Sequence, residues 1–312
     1  MNKALFLTVM MFSNSILAQV CQKWSLPDKA GELNTKVINE ASGIALSRID
    51  LDRLYHNNDS GDGAHFYMTD LSGKHTKKIT FDTEAPIDIE DLSVGPCGED
   101  SCLYLADIGD NQEERGEVQI WVVKEEKKFS ATVKSKKIRL RYPDWAHNAE
   151  AFAVHPQSGD LYILTKEFDE SERRAKPAKI FRLRSDHLSQ SQNFESLVLE
   201  AVGELDLPWL HFDFGLFGQI VTSMDISPDG KKALLLTYEN AIEIRFDRLE
   251  SPGNTKDLKS GADFQTIRWS RNTSQQEAIT YSSDGRSFFY DTEFNPDAGD
   301  KDVPLFKVKC ED

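Results

Sequence analysis

The residues best placed to do chemistry are acidic and recur at matching positions. Glu40, Glu90, Glu150 and Glu277 each open a short apolar run, and Thr222 takes that place in a fifth. A second set closes the apolar run after the next turn. It comprises Asn58 and Asp59, then Asp107, Asp110 and Asn111, then Lys166, then Tyr238, then Asp291 and Glu293. Carboxylates crowded together repel, and burial penalises them further. A hard cation relieves both costs, and Ca²⁺ takes six to eight oxygen ligands. This pattern points to Ca²⁺ held by some of Glu40, Glu90, Glu150, Glu277, Asp59, Asp107 and Asp110. A ligand at the same place would meet Asn58, Asp59, Asp107, Asp110, Asn111, Glu150, Lys166 and Tyr238. The alternative is that each Glu caps backbone N–H groups or pairs with Lys166.

The sequence names no catalytic residue. It has no Gly-x-Ser-x-Gly, no His-Glu-x-x-His and no phosphate-cradling Gly-rich loop. The seven histidines are scattered. His56 falls within a strand and His155 in a turn, so both read as structural.

What must position the acidic residues is a repeat. The lead residues advance by 50, 60, 72 and 55 positions. Each is followed by an apolar run, a turn and a second run, and the turns at 157–159, 228–230 and 283–285 contain Gly with Ser or Asp. The second runs begin at Leu54, Leu103, Leu161, Ala233 and Phe288. Units of four strands at about this period make a β-propeller. The chain therefore reads as all-β, a single propeller over 19–312. Five blades are expected, with six as the alternative if 186–220 hides one. The last unit stops at its third strand, so a strand from 24–38 is expected to complete it. Strand one starts, and strand two ends, at one face, so the acidic residues should converge on one mouth of the central channel.

Residues 1–18 read as a signal peptide. Lys3 precedes an uncharged apolar stretch at 4–18 that ends in Ala18. The stretch is short for a membrane span of roughly 20 residues. The protein is thus expected outside the cytoplasm, in the periplasm or beyond. There the four cysteines would form disulfides, Cys97 with Cys102 locally and Cys21 with Cys310 across the chain ends. No histidine cluster accompanies them to suggest zinc. The net charge of -15 excludes a general nucleic-acid binder, and the negative mean hydropathy excludes a polytopic membrane protein. A monomer with a small-molecule, glycan or protein ligand is expected. The aromatic segment 207–218 could line a pocket or pack on a blade edge, and Asn58 and Asn272 begin glycosylation sequons.

Several of these runs resemble a group of exported bacterial β-propeller proteins. The carriers are Asn58 to Gly61, Asp107 to Asn111, Asn148 to Ala151, Thr165 to Glu167 and Ser227 to Gly230. The group is distantly similar to phytase-like esterases and NHL-type propellers. The resemblance implies the fold and, from Ca²⁺-dependent propeller phytases, a precedent for phosphate hydrolysis in an acidic channel. The first function implied is a binding or scaffold propeller with an acidic, Ca²⁺-binding mouth. The second is a metal-dependent ester or phosphoester hydrolase.

Overall fold

The repeats alternate β-branched, aromatic and small residues between Gly- and Asp-containing turns, a composition that suits half-buried strands. The computed structural model describes residues 19–84, 86–169, 171, 174–190, 195–206, 220–251, 257–268, 275–294 and 301–312. Residues 1–18, the segment 207–218 and the sequon at Asn272 lie outside them. Among the described residues no helix is long and apolar enough to cross a membrane.

Strand β1 (Asp28–Leu33) comes first. Blade 1 follows with β2 (Ala41–Leu46), β3 (Arg53–Asn58), β4 (His65–Asp70) and β5 (Lys77–Asp82). Blade 2 runs through β6 (Ile89–Cys97), β7 (Asp100–Asp107) and β8 (Val118–Lys124). Next, β9 (Thr132–Lys134) reaches back to lie parallel on β5, and β10 (Lys136–Arg141) completes blade 2. Blade 3 has β11 (Ala149–Val154) and β12 (Leu161–Thr165), then a small ribbon of β13 (Phe168–Asp169) and β14 (Arg174–Ala175), then β15 (Ala178–Leu183). After helix α1 (Ser185–Gln190), β16 (Leu197–Val198) lies parallel on β10 and β17 (Glu200–Leu205) finishes blade 3. Blade 4 is β18 (Val221–Ile226), β19 (Lys232–Thr237), β20 (Asn240–Arg245), helix α2 (Phe246–Glu250) and β21 (Phe264–Arg268). Blade 5 is β22 (Gln276–Tyr281), β23 (Ser287–Thr292) and β24 (Val303–Lys309). Its outermost strand is β1, antiparallel on β24 from Asp28 opposite Lys307 to Leu33 opposite Val303.

The inner strands β2, β6, β11, β18 and β22 lie side by side in a ring, with β22 against β2. The fold is a five-bladed β-propeller. The described part of 186–220 supplies the outer strands β16 and β17, not a sixth blade. Both disulfides form, Cys21–Cys310 and Cys97–Cys102.

The core sits in wedges between blades. Tyr162 and Ile180 of blade 3 pack with Met224, Leu235 and Phe246 of blade 4. Tyr104 and Ile120 of blade 2 pack with Phe152 and Phe181 of blade 3. Between blades 5 and 1 the apolar clusters are smaller, and His56 and Asp291, both fully buried, stand 3.6 Å apart.

Every inner strand begins with a β-bulge, an extra residue unpaired with strand two. The bulged residues are Ser42, Glu90, Glu150, Thr222 and Glu277. Blade 1 is therefore offset by two from the sequence alignment. Ser42 holds the lead position there, and Glu40 is exposed two residues before it.

The residue after each bulge forms the channel waist: Gly43, Asp91, Ala151, Ser223 and Ala278. Four of the five are small, and a Cβ on Gly43 would stand 2.3 Å from Asn57 Oδ1. Asp91 crosses the space they leave. Its Oδ2 accepts from Phe152 N at 3.0 Å, Ser223 Oγ at 3.0 Å and Met224 N at 3.4 Å, and its Oδ1 from Leu92 N at 2.8 Å. The contacts join blades 2, 3 and 4. Ile279 N of blade 5 donates in turn to Ser223 Oγ.

Candidate functional site

The bulges set which side chains reach the mouth at the strand-one starts. Bulged Glu90, Glu150 and Glu277 are each at most 5% exposed. The residue just past strand two adds a second tier: Asp59, Ile108, Lys166, Tyr238 and Glu293. Blade 2 breaks the pattern with apolar Ile108, and Asp88, one residue before β6, brings a carboxylate instead.

Asp59, Asp88 and Glu90 each offer one oxygen, and these oxygens lie within 4.8 Å of one another. Asp88 is 9% exposed, and among the described residues its Oδ1 has no hydrogen-bond partner. The same holds for Oε2 of buried Glu277, whose Oε1 accepts from Gln275 Nε2 at 3.0 Å. Gly109 presses its backbone against the cluster. A Cβ there would come within 2.2 Å of Glu90 Oε1 and 2.4 Å of Asp88 Oδ2. Opposite charge comes from Lys166, whose Nζ donates to Glu150 Oε1 at 2.7 Å and stands 5.5 Å from the Tyr238 ring centroid.

The electrostatics follow from this crowding. Burial, then the charge of Asp59, pushes the Asp88 carboxyl up to about 7. Burial, then Glu150, Asp59 and Asp88, holds Glu90 well above the usual carboxylate range. Burial and Glu150 do the same to Glu277. Burial, then Asp59, Glu40 and Glu150, raises Glu293 to about 7. Lys166 is pulled down by burial, but Glu150 outweighs this and its ammonium is strengthened. The crowding thus favours the protonated forms of Asp88, Glu90, Glu277 and Glu293.

The structure brings together Asp59, Glu90, Glu150, Glu277, Lys166 and Tyr238 from the sequence-derived set. Glu40 stands at the rim, its carbonyl accepting from Asp59 N at 2.8 Å. Asn58 is buried and structural: its Nδ2 donates to Val37 O and its Oδ1 accepts from Glu40 N. Asp107 is taken by Arg115 Nη2 at 2.8 Å, Gln119 Nε2 at 3.0 Å and the N–H groups of Ile87 and Asp88. Asp110 accepts from the N–H groups of Glu114 and Arg115. Asn111 is exposed, and its Oδ1 accepts from Asn148 Nδ2. The segment 107–111 thus braces Gly109 against the cluster, with its own carboxylates occupied.

Asp88 is the residue that sequence reasoning missed, and Glu293, placed at this mouth from the sequence, was not among the expected ligands. Asp88 stands two before bulged Glu90, the place that Glu40 holds before Ser42. Glu293 follows strand two of blade 5 as Asp59 follows strand two of blade 1. The buried histidines are engaged elsewhere. His56 meets Thr69 Oγ1 and Asp291, and His147 meets Asp144 and Glu167.

No family model matches the chain. No curated protein matches it either. Among solved structures it is similar to a nidogen/laminin complex, with a TM-score of 0.44 and 12% identity over 80% of this chain and 71% of that one. It is also similar to an auxiliary nutrient binding protein from Bacteroides thetaiotaomicron, with a TM-score of 0.44 and 10% identity over 93% of this chain and 77% of that one. Likenesses this remote bear on no residue of the site.

Proposed function

We propose that this is an exported binding propeller whose acidic mouth takes a hard divalent cation, Ca²⁺ first, on Asp59, Asp88 and Glu90. The observation that carries the reading is Asp88. It is a nine-tenths buried carboxyl with an unpartnered oxygen, set against two further carboxylates. A buried group in that state is costly unless something binds it, and a hard cation suits an all-oxygen donor set. Export is supported by two disulfides, which persist in oxidising compartments, and by the signal-like 1–18.

Binding is favoured over phosphoester hydrolysis. Among the described residues the cations nearest the cluster are Lys166 and Arg115, and Glu150 and Asp107 already engage them. A phosphate would need more positive charge than this. Calorimetric titration of chelator-treated protein with Ca²⁺ tests the reading. Saturable binding that Asp88→Asn weakens is expected, and no heat at millimolar Ca²⁺ would remove it. A phosphomonoesterase assay with and without Ca²⁺ is expected to show no turnover.

A further inference from the structure

The far end of the channel has a different chemistry. Leu46, Val94, Val154, Ile226 and Tyr281 hold one equivalent position, one per blade, four residues past the bulge on each inner strand. All five line a cavity of about 200 Å³. Leu51, 54% exposed, carries the apolar surface onto the rim.

Two charged residues line the same cavity, Arg48 and Asp225. Asp225 is fully engaged. Its Oδ1 accepts from Ile226 N at 2.8 Å, and its Oδ2 from Tyr281 N at 2.8 Å and Thr280 Oγ1 at 3.0 Å. Arg48 is exposed. Its Nη2 reaches across the mouth from blade 1 to donate to Pro156 O at 3.2 Å. Among the described residues its guanidinium makes no other hydrogen bond.

We propose that this second mouth binds a small aliphatic monocarboxylate. The planar fork of Arg48 suits a carboxylate head, and the tail would lie on the apolar lining, with half-buried Leu46 and exposed Leu51 most open to it. The cavity is smaller than the roughly 300–1,000 Å³ of drug-sized sites, so the tail is limited to a few carbons. An amine head would meet the Arg48 charge at the rim, while Asp225 is half-buried with three donors on its oxygens.

Amide NMR shifts and calorimetry on the disulfide-bonded protein test this, with butyrate, hexanoate and hexylamine as probes at pH 7.5. Hexanoate is expected to shift the amides of Val94, Val154 and Ile226. It should bind more tightly than butyrate, by about fourfold per added methylene, from about 0.8 kcal/mol per buried CH₂. Arg48→Met should weaken hexanoate at least tenfold, and Arg48→Lys by less. Leu51→Ser should weaken hexanoate more than butyrate. Both residues are exposed, so these variants should keep the parent's thermal unfolding midpoint. Hexylamine binding as well as hexanoate, Arg48→Met binding unchanged, or no saturation at tens of millimolar hexanoate would each overturn the proposal.

Discussion

Glu90 and Asp91 are consecutive residues of one strand, and both are buried, yet they belong to different regions. Asp91, at the waist, is met by four donors from three blades. Glu90, at the mouth, faces Asp59 and Asp88. Burial pushes both carboxyls up, but the nearby N–H and O–H groups pull Asp91 back while further negative charges push Glu90 higher. Burial alone therefore does not mark a binding site. A buried carboxyl surrounded by donors holds the scaffold, and one surrounded by other carboxyls is relieved only by a proton or a cation.

Removing the waist carboxyl should produce the largest effect. Asp91→Ala leaves buried N–H and O–H donors of blades 3 and 4 unpaired, at about 1–3 kcal/mol each. Urea unfolding should show a loss of about 3 kcal/mol or more. A loss under about 1 kcal/mol would erase the distinction between the two regions. At the mouth the sign should reverse on adding metal. Ca²⁺ at a hundredfold excess over its dissociation constant should stabilise the protein by about 2.7 kcal/mol. Asp88→Asn should lower Ca²⁺ affinity by about tenfold or more, and an unchanged affinity would exclude Asp88 as a ligand.

A smaller effect tests the crowding itself. Glu293 has a folded-state pKa of about 7, above the ordinary 4.5. Its contribution to stability is thus full below about pH 4.5 and lost as pH rises through about 7. Relative to Glu293→Gln, the wild type should lose about 1 kcal/mol over that window after screening, read from paired thermal melts without metal. The smallest effect is expected where carboxylates do have a cation. His147 lies 3.0 Å from Asp144 and 3.3 Å from Glu167. Burial pulls the imidazole down, but its bonds to Glu167 and Asp144 more than offset this and the net direction is up. Its stabilisation is present below about pH 6.5 and fades as pH rises through the raised value. His147→Gln should therefore cost about 0.5 kcal/mol more at pH 6 than at pH 9. Equal losses at both pH values would remove the ion pair from the account.

The propeller was legible because turn residues and strand patterning repeat along the chain. The disulfides were legible because two cysteines bracket one turn and two stand near the ends. The acidic mouth was legible for Glu90, Glu150 and Glu277, whose offset from strand two recurs. Glu40 was misaligned because a bulge carries no sequence signature, and only the backbone pairing reveals Ser42 as its residue. Asp107 and Asp110 have the right residue type at the right strand end. What disqualifies them is Arg115, eight and five residues on, folding back onto both. Asp88 was missed because the alignment set Glu40 level with Glu90, whereas in the bulged register Glu40, two before Ser42, is the counterpart of Asp88.

Two short strands described above bear on how the ring is held together. Each of β9 and β16 is paired in parallel with the outer edge of the preceding blade. Blades 1, 2 and 3 are thus overlapped like roof tiles and joined at the rim by main-chain bonds. Among the described residues blades 4 and 5 have no such tie. Blade 5 meets blade 4 by other means, with Cys21, disulfide-bonded to Cys310, donating its N–H to Glu243 Oε2 and Gln22 Nε2 donating to Gly261 O. The Asp59–Asp88–Glu90 cluster lies on blades 1 and 2, so the β5–β9 tie at the rim fixes the same pair of blades that brings its carboxylates together.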